Sequence, residues 1–319
     1  MTESLYDIII IGGGPAGLTA GIYSSRELLK TLILEKGVCG GWPTRTELIE
    51  NYPGFPDGIN GFDLAERFIR QARRFGAEIA EASETTGIVP EGDLYLVHSG
   101  GGEFRGRAVI VASGSREKPL GIPGEEAFLG KGVTYCATCD GPLYRNKEVA
   151  VIGGGNTALA EARSLARFAS RVHLLHRREE FRGARILEEE LRKNGKVSFV
   201  LNALPLAIEG ARSVESLSYR DKITGEERKI ALSGVFIFVG LEPNSAFVKG
   251  LVDRDEAGYI TTDGMMRTSR PGIFAAGDLR AGNVRQISAA VGEGTMAALA
   301  ARDYLSREKP PKVKTFNRE

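Results

Sequence analysis

The chain carries one strand–turn–helix–strand pattern twice, and this repeat restricts the fold more than any other feature. The first copy, YDIIIIGGGPAGLTAGIYSSRELLKTLILEK, places Gly12, Gly14 and Gly17 in G-x-G-x-x-G spacing between an apolar run and a helix-forming stretch. In that spacing the first glycine makes the tight turn. The second lets the backbone reach a pyrophosphate, and the third lets helix and strand pack closely. Pro15 suits the first helical position, where an N–H would be unpaired anyway. Free N–H groups and the helix dipole favour a phosphate there. Glu35 ends the second strand, eighteen residues after Gly17, where a carboxylate binds ribose hydroxyls.

The second copy, KEVAVIGGGNTALAEARSLARFASRVHLLHRREEFRG, has Gly153, Gly155 and Ala158 in the same frame. Alanine is accepted at the third position. The same count leads from Ala158 to His176, at the end of a strand expected over Val172–Leu175. Arg177, Arg178 and Arg182 follow. A carboxylate here repels a 2′-phosphate, whereas guanidinium groups bind one through charge-assisted bidentate contacts. The second site therefore reads as specific for NADPH. The alternative is a solvated basic patch with Glu179 and Glu180 as local partners. Two such folds imply two different dinucleotides and an α/β architecture of two Rossmann-like domains.

Composition agrees with an enzyme of this kind. The 319 residues suffice for about two domains. Forty-two basic residues against forty-one acidic ones leave a charge of +1, which gives no reason to expect a nucleic-acid partner. The N-terminus has no basic lead, and its apolar run Ile8–Ile11 is too short for a signal peptide or a membrane span. The expectation is a soluble, cytoplasmic protein with no membrane partner.

Cys136 and Cys139 lie in YCATCDG, residues 135–141, and the only other cysteine is Cys39. A structural zinc site wants about four Cys or His ligands. His98, His173 and His176 lie outside any C-x-x-C or H-x-x-x-H pairing, so no metal is expected. A reversible dithiol is the leading reading, and it needs an electron source. Hydride from NADPH enters a dithiol through a flavin, so the first site is expected to hold FAD.

Six segments together, GGGPAG (12–17), YCATCDG (135–141), GGGNTA (153–158), HRREEFR (176–182), GIFAAGD (272–278) and RQISAA (285–290), closely resemble low-molecular-weight, bacterial-type thioredoxin reductases. The match runs along essentially the whole chain, in the family's order. The resemblance implies an NADPH domain, residues 119–246, inserted into an FAD domain made of 1–118 and 247–319. The crossings are expected near Lys118–Leu120 and Asn244–Phe247. It also implies a homodimer whose partner protein is thioredoxin. Carried over position by position, it assigns Gly12, Gly14, Pro15, Ala16, Gly17, Glu35, Gly41, Trp42, Asn51, Gly277, Asp278, Arg285, Gln286 and Ile287 to FAD. To NADPH it assigns Gly153, Gly155, Asn156, Thr157, Ala158, His176, Arg177, Arg178 and Arg182. Cys139 would face the flavin, Cys136 would exchange with the partner, and Asp140 would serve as general acid and base. The alternative role for Asp140 is to cap the following turn, and without the resemblance Asp278 reads as a turn aspartate.

Some positions depart from the family pattern. Gly40-Gly41-Trp42 stands where Gly-Gly-Gln is usual, and the indole is read either as a cover near the flavin or as ordinary core. Gly240-Leu241-Glu242-Pro243-Asn244 is a milder change. Cys39 is expected to be a buried, inert thiol. Rival readings are a reductase of a peroxiredoxin system, a ferredoxin-fed reductase, and a flavin redox sensor without turnover. The basic cluster opposes the ferredoxin reading.

Overall fold

The computed structural model describes residues 5–46 and 48–307. The side chains of Thr138 and Cys139 lie outside the described set, and so does the assignment of a role to Cys139. The chain divides into two compact units. One runs to Arg116 and resumes at Glu242; the other is Glu117–Leu241.

In the first unit, strand Leu5–Ile11 lies between the parallel strands Thr31–Leu34 and Gly102–Val111. Helix α1 (Pro15–Arg26) follows the central strand, and α2 (Gly61–Arg74) precedes the parallel edge strand Glu78–Ala80. The four consecutive isoleucines of the central strand are explained by its two covered faces. Ile8 and Ile10 enter one core cluster with Leu18 and Ala20 of α1, while Ile9 and Ile11 enter another with Val97 and Ile260. Alternate side chains of a strand point to opposite faces, so a strand covered on both sides is apolar throughout. Each such side chain contributes about 1.5–3 kcal/mol by leaving water. Strands Thr85–Glu91 and Leu94–Ser99 add an antiparallel extension to the first part of Gly102–Val111.

The second unit repeats this plan. Five parallel strands run in the spatial order Val197–Val200, Arg171–Leu175, Glu148–Gly153, Gly234–Phe238, Val133–Thr134. Val149 and Val151 face one core cluster, Ala150 and Ile152 the other. Helix α3 (Ala137–Asp140) is a single turn that begins directly after Cys136; α4 (Asn156–Leu165) follows the central strand, and α5 (Arg185–Arg192) follows the basic loop. An antiparallel three-stranded sheet, residues 203–231, matches the extension of the first unit. On returning to the first unit, the chain adds strand Ile273–Ala275 beside Gly102–Val111 and ends the described region with α6 (Ile287–Arg307).

The chain crosses between units slightly earlier than the linker-like residues suggest. The crossing strands Ser115–Glu117 and Leu241–Pro243 pair as a two-stranded ribbon. Beyond it, Lys118 donates its N–H to Gly240 at 2.9 Å within the second unit. Asn244 already belongs to the first unit: its N–H donates to Gly114 at 2.9 Å and its Nδ2 to the Ser113 carbonyl at 3.0 Å. Proline and glycine mark where the chain turns, whereas these hydrogen bonds fix where each unit ends.

Candidate functional site

The first glycine turn is closed by close backbone approach. Gly12 has φ +109°, and a Cβ there would lie 2.3 Å from the Ala112 carbonyl oxygen. A Cβ on Gly17 would lie 1.9 Å from the Gly12 carbonyl oxygen, so helix and strand sit nearer than any side chain permits. Gly14 caps α1 and Pro15 opens it. Glu35 turns toward this loop: its Oε2 accepts the Gly13 N–H at 2.7 Å and its Oε1 accepts the Gly37 N–H at 2.9 Å. A carboxylate offers about four lone-pair sites, so capacity remains for ribose hydroxyls. Beside it lies a cavity of about 550 Å³ lined by Gly12, Glu35, Lys36, Ser113, Asn244 and Phe247, among others. The volume, the glycine cradle and the acidic wall fit the adenosine end of a dinucleotide. Ser113 and Phe247 were not singled out from sequence, because only the fold brings them to this cavity.

Ala16 lies in the first turn of α1. It is buried, and α6 packs so tightly on it that a Cβ on Gly294 would stand 2.2 Å from its carbonyl oxygen. Its carbonyl belongs to the α1–α6 contact, while its N–H lies in the first turn of α1. Gly41 opens the short 3₁₀ turn Trp42–Arg45. The Trp42 indole N–H donates to the Ser115 carbonyl at 3.1 Å, and the Arg45 guanidinium lies 5.1 Å from the ring centroid. The indole is therefore anchored at its polar end and half-buried, not ordinary core.

Two residues far apart in sequence meet at the start of α6: Asn51 Nδ2 donates to Gln286 Oε1 at 3.0 Å. Ile287 packs against the cluster of Ile49, Ile59 and Leu64. Gly277 donates its N–H to Glu293 at 2.8 Å, and Glu293 is buried and paired with Arg280. Burial raises the Asp278 carboxyl above its usual range, with Arg285 opposing and Glu293 adding to the rise. Arg285 donates to the Tyr259 hydroxyl at 2.7 Å and lies over its ring.

In the second unit, Gly155 caps α4 and a Cβ there would meet nothing within 4 Å, which leaves open space at the helix start. Ala158 is fully buried and Thr157 exposed. The basic loop is fastened to the glycine turn. Arg182 and Gly183 donate their N–H groups to the Gly154 carbonyl at 2.7 and 3.1 Å, and Ala184 donates to Asn156 Oδ1 at 2.7 Å. Arg177, Arg178 and Arg182 are exposed. His176 is not part of that exposed cluster. Its ring lies beneath Gly154, stacks on Phe181 with centroids 5.2 Å apart, and leaves Nε2 without a partner. Burial, and the three arginines around it, lower its pKa and favour the neutral ring. A neutral buried imidazole gives a phosphate little, so His176 supports the loop while the arginines present the charge.

Cys136 is disulfide-bonded and half-buried, its N–H donating to Thr134 Oγ1 at 3.1 Å. Asp140 closes α3 with its N–H donating to the Cys136 carbonyl at 3.2 Å. Cys39 is a free, buried thiol. Burial first, then the charges of Glu81 and Glu35, push its pKa up to about 12, which keeps it protonated and inert.

Residues 6–294 match the family model described as pyridine nucleotide-disulphide oxidoreductase. The chain belongs to this family. As a pyridine nucleotide-disulphide oxidoreductase its cofactors are FAD and NADPH. It is similar to a thioredoxin reductase of Treponema pallidum (strain Nichols), 43% identical over 303 residues that make 95% of this chain and 98% of that one. Among solved structures, Lactococcus lactis thioredoxin reductase is 42% identical and superposes with a TM-score of 0.93, covering 95% of this chain and 100% of its own. The thioredoxin reductase of T. acidophilum is 37% identical, with a TM-score of 0.91 and coverage of 94% and 99%. No described helix is long and apolar enough to cross a membrane.

Proposed function

We propose that this oxidoreductase is an NADPH-dependent thioredoxin reductase, acting as a homodimer in the cytoplasm. The observation that carries this is the pairing of a CxxC disulfide with two glycine nucleotide turns, one bordered by Glu35 and the other by exposed arginines. Full-length similarity to thioredoxin reductases supports it. When bound, NADPH supplies a hydride and FAD relays its electron pair to the disulfide.

The protein's own residues do the rest. The N–H groups at the start of α1 and the Glu35 carboxylate hold the first dinucleotide, with Asp278 and the Asn51–Gln286 pair along its length. Arg177, Arg178 and Arg182 select the 2′-phosphate of the second. Cys139 is assigned to the flavin side and Cys136 to the partner. The reduced Cys136 sulfur attacks one sulfur of the thioredoxin disulfide. That S–S bond breaks, and the departing sulfur takes a proton from Asp140. Cys139 then attacks Cys136 in the mixed disulfide, which releases the second partner thiol and restores the intrachain disulfide. Two electrons leave the dithiol and two enter thioredoxin.

The dithiol and the nicotinamide both need the flavin, and the dithiol also needs a bulky partner. Rotation of Glu117–Leu241 as a rigid body about the crossing ribbon satisfies these demands in turn. Steady consumption of NADPH on addition of oxidised thioredoxin tests the reading. A flavin sensor would be reduced once and stop.

A further inference from the structure

Tyr135 stands next to Cys136, and its hydroxyl donates to Glu125 Oε1 at 2.5 Å. The same oxygen accepts the Leu120 N–H at 2.8 Å, and Oε2 accepts the Gly121 N–H at 2.6 Å. Leu120 and Gly121 are the segment by which the chain enters the second unit, three residues past the crossing at Glu117. Glu125 is buried, at 6% exposure. A buried carboxylate is tolerated when its lone pairs are satisfied, and here three donors satisfy it.

The carboxylate is itself held firmly. Gly124, with φ +87°, lies against the antiparallel sheet so closely that a Cβ would be 1.9 Å from the Ile208 carbonyl oxygen. Ile208 returns a hydrogen bond to the Pro123 carbonyl at 2.9 Å. The turn carrying Glu125 thus has little freedom, and what it binds is fixed to the body of the unit. Leu120 and Tyr135 also share one apolar cluster with Val133 and Ile208. Beyond Tyr135, Cys136 donates its N–H to Thr134, and its carbonyl accepts the Asp140 N–H across the short α3 turn.

We propose that Glu125 and Tyr135 are positioning residues for the dithiol: one buried carboxylate locks the Tyr135–Cys136 segment to the entry segment Leu120–Gly121 of the unit. This rests on the reading of the CxxC pair as the dithiol that reduces a protein disulfide. The entry segment lies at the proposed pivot, so the tether makes the dithiol move with the hinge rather than independently of it. The tether does not touch the basic loop or the glycine turn at Gly153–Gly155. Its loss therefore acts on the dithiol steps and spares the nucleotide steps.

The test uses Tyr135→Phe in the holoenzyme, which keeps the ring and removes only the hydroxyl, with Glu125→Gln as a second variant. One lost hydrogen bond to a charged group sets an expected scale of about tenfold to a hundredfold. The kcat for thioredoxin reduction should fall by that factor in Tyr135→Phe. KM for NADPH and the stopped-flow rate of flavin reduction by NADPH should stay within about twofold, a scale below that of the lost bond. Dithiothreitol, with no coenzyme present, should reduce the Cys136 disulfide faster in the variant, because the segment is less firmly held. Unchanged kcat and unchanged dithiothreitol reactivity in both variants would overturn the proposal. So would a parallel fall in flavin reduction, which signifies general damage. An unmodified protein that never reduces thioredoxin refutes the proposed function instead, so the two failures are distinguishable.

Discussion

At the scale of single residues, the proposed reaction assigns its main roles to the charged side chains of the second nucleotide loop and to the two sulfurs of the CxxC motif. Arg177 and Arg178 are exposed beside the glycine turn. Replacing both by alanine should raise KM for NADPH far more than KM for NADH, by roughly tenfold to a hundredfold per charge-assisted contact. Equal effects on both coenzymes would reduce the pair to surface charge. Cys139→Ser should retain FAD and flavin reduction yet lose protein-disulfide reduction. Cys136→Ser should leave a thiolate beside the flavin, seen as a long-wavelength absorption band; a band in Cys139→Ser instead would reverse the assigned roles. Glu161 has one buried oxygen without a partner, and burial lifts its carboxyl to about 7. The folded protein then holds this proton where the unfolded chain has released it. Stability from this group is full below about pH 4.5, the ordinary carboxyl range, and is lost as pH rises through about 7. Glu161→Gln should remove that loss, raising unfolding free energy at pH 8 by on the order of 1–3 kcal/mol with little change at pH 4. Identical urea midpoints at both pH values would show that Glu161 is solvated. Charge and position made the arginines candidates from the sequence, and the loop holds them exposed. For His176, spacing located the residue at a strand end without saying which side its ring takes, and the ring is buried beneath Gly154.

At the scale of elements, each glycine turn was legible because strand, turn and helix are contiguous and their apolar patterns are strong. The contacts that close the site were not, since they join distant segments. Asn51 meets Gln286 across 235 positions, and Ser113, Asn244 and Phe247 meet Glu35 only at the cavity. The same holds for α6, whose sequence is rich in small residues but does not reveal what it packs on. Gly294 supplies that answer, because it abuts the Ala16 carbonyl of α1. Gly294→Ala should force the two helices apart and destabilise the protein by about 1–3 kcal/mol, the usual cost of overpacking. Chemical denaturation followed by flavin release and circular dichroism would check this, and an unchanged midpoint would mean that the contact is slack.

At the scale of the whole molecule, the repeated motif correctly foretold two dinucleotide folds in one chain, while the crossings lie where hydrogen bonds to Gly240 and Asn244 end each unit. Rotation about the ribbon predicts that a crosslink pinning the units with the dithiol on the flavin blocks turnover; full turnover in a completely crosslinked sample would remove the need for motion. The most direct measurement is simpler. Purified protein loaded with FAD is mixed with NADPH, and absorbance at the NADPH band is followed before and after adding oxidised thioredoxin. An NADPH-dependent thioredoxin reductase consumes one NADPH per thioredoxin disulfide through many cycles, far beyond the enzyme concentration. A single burst equal to the amount of flavoprotein, with no further consumption when thioredoxin is added, would contradict that function.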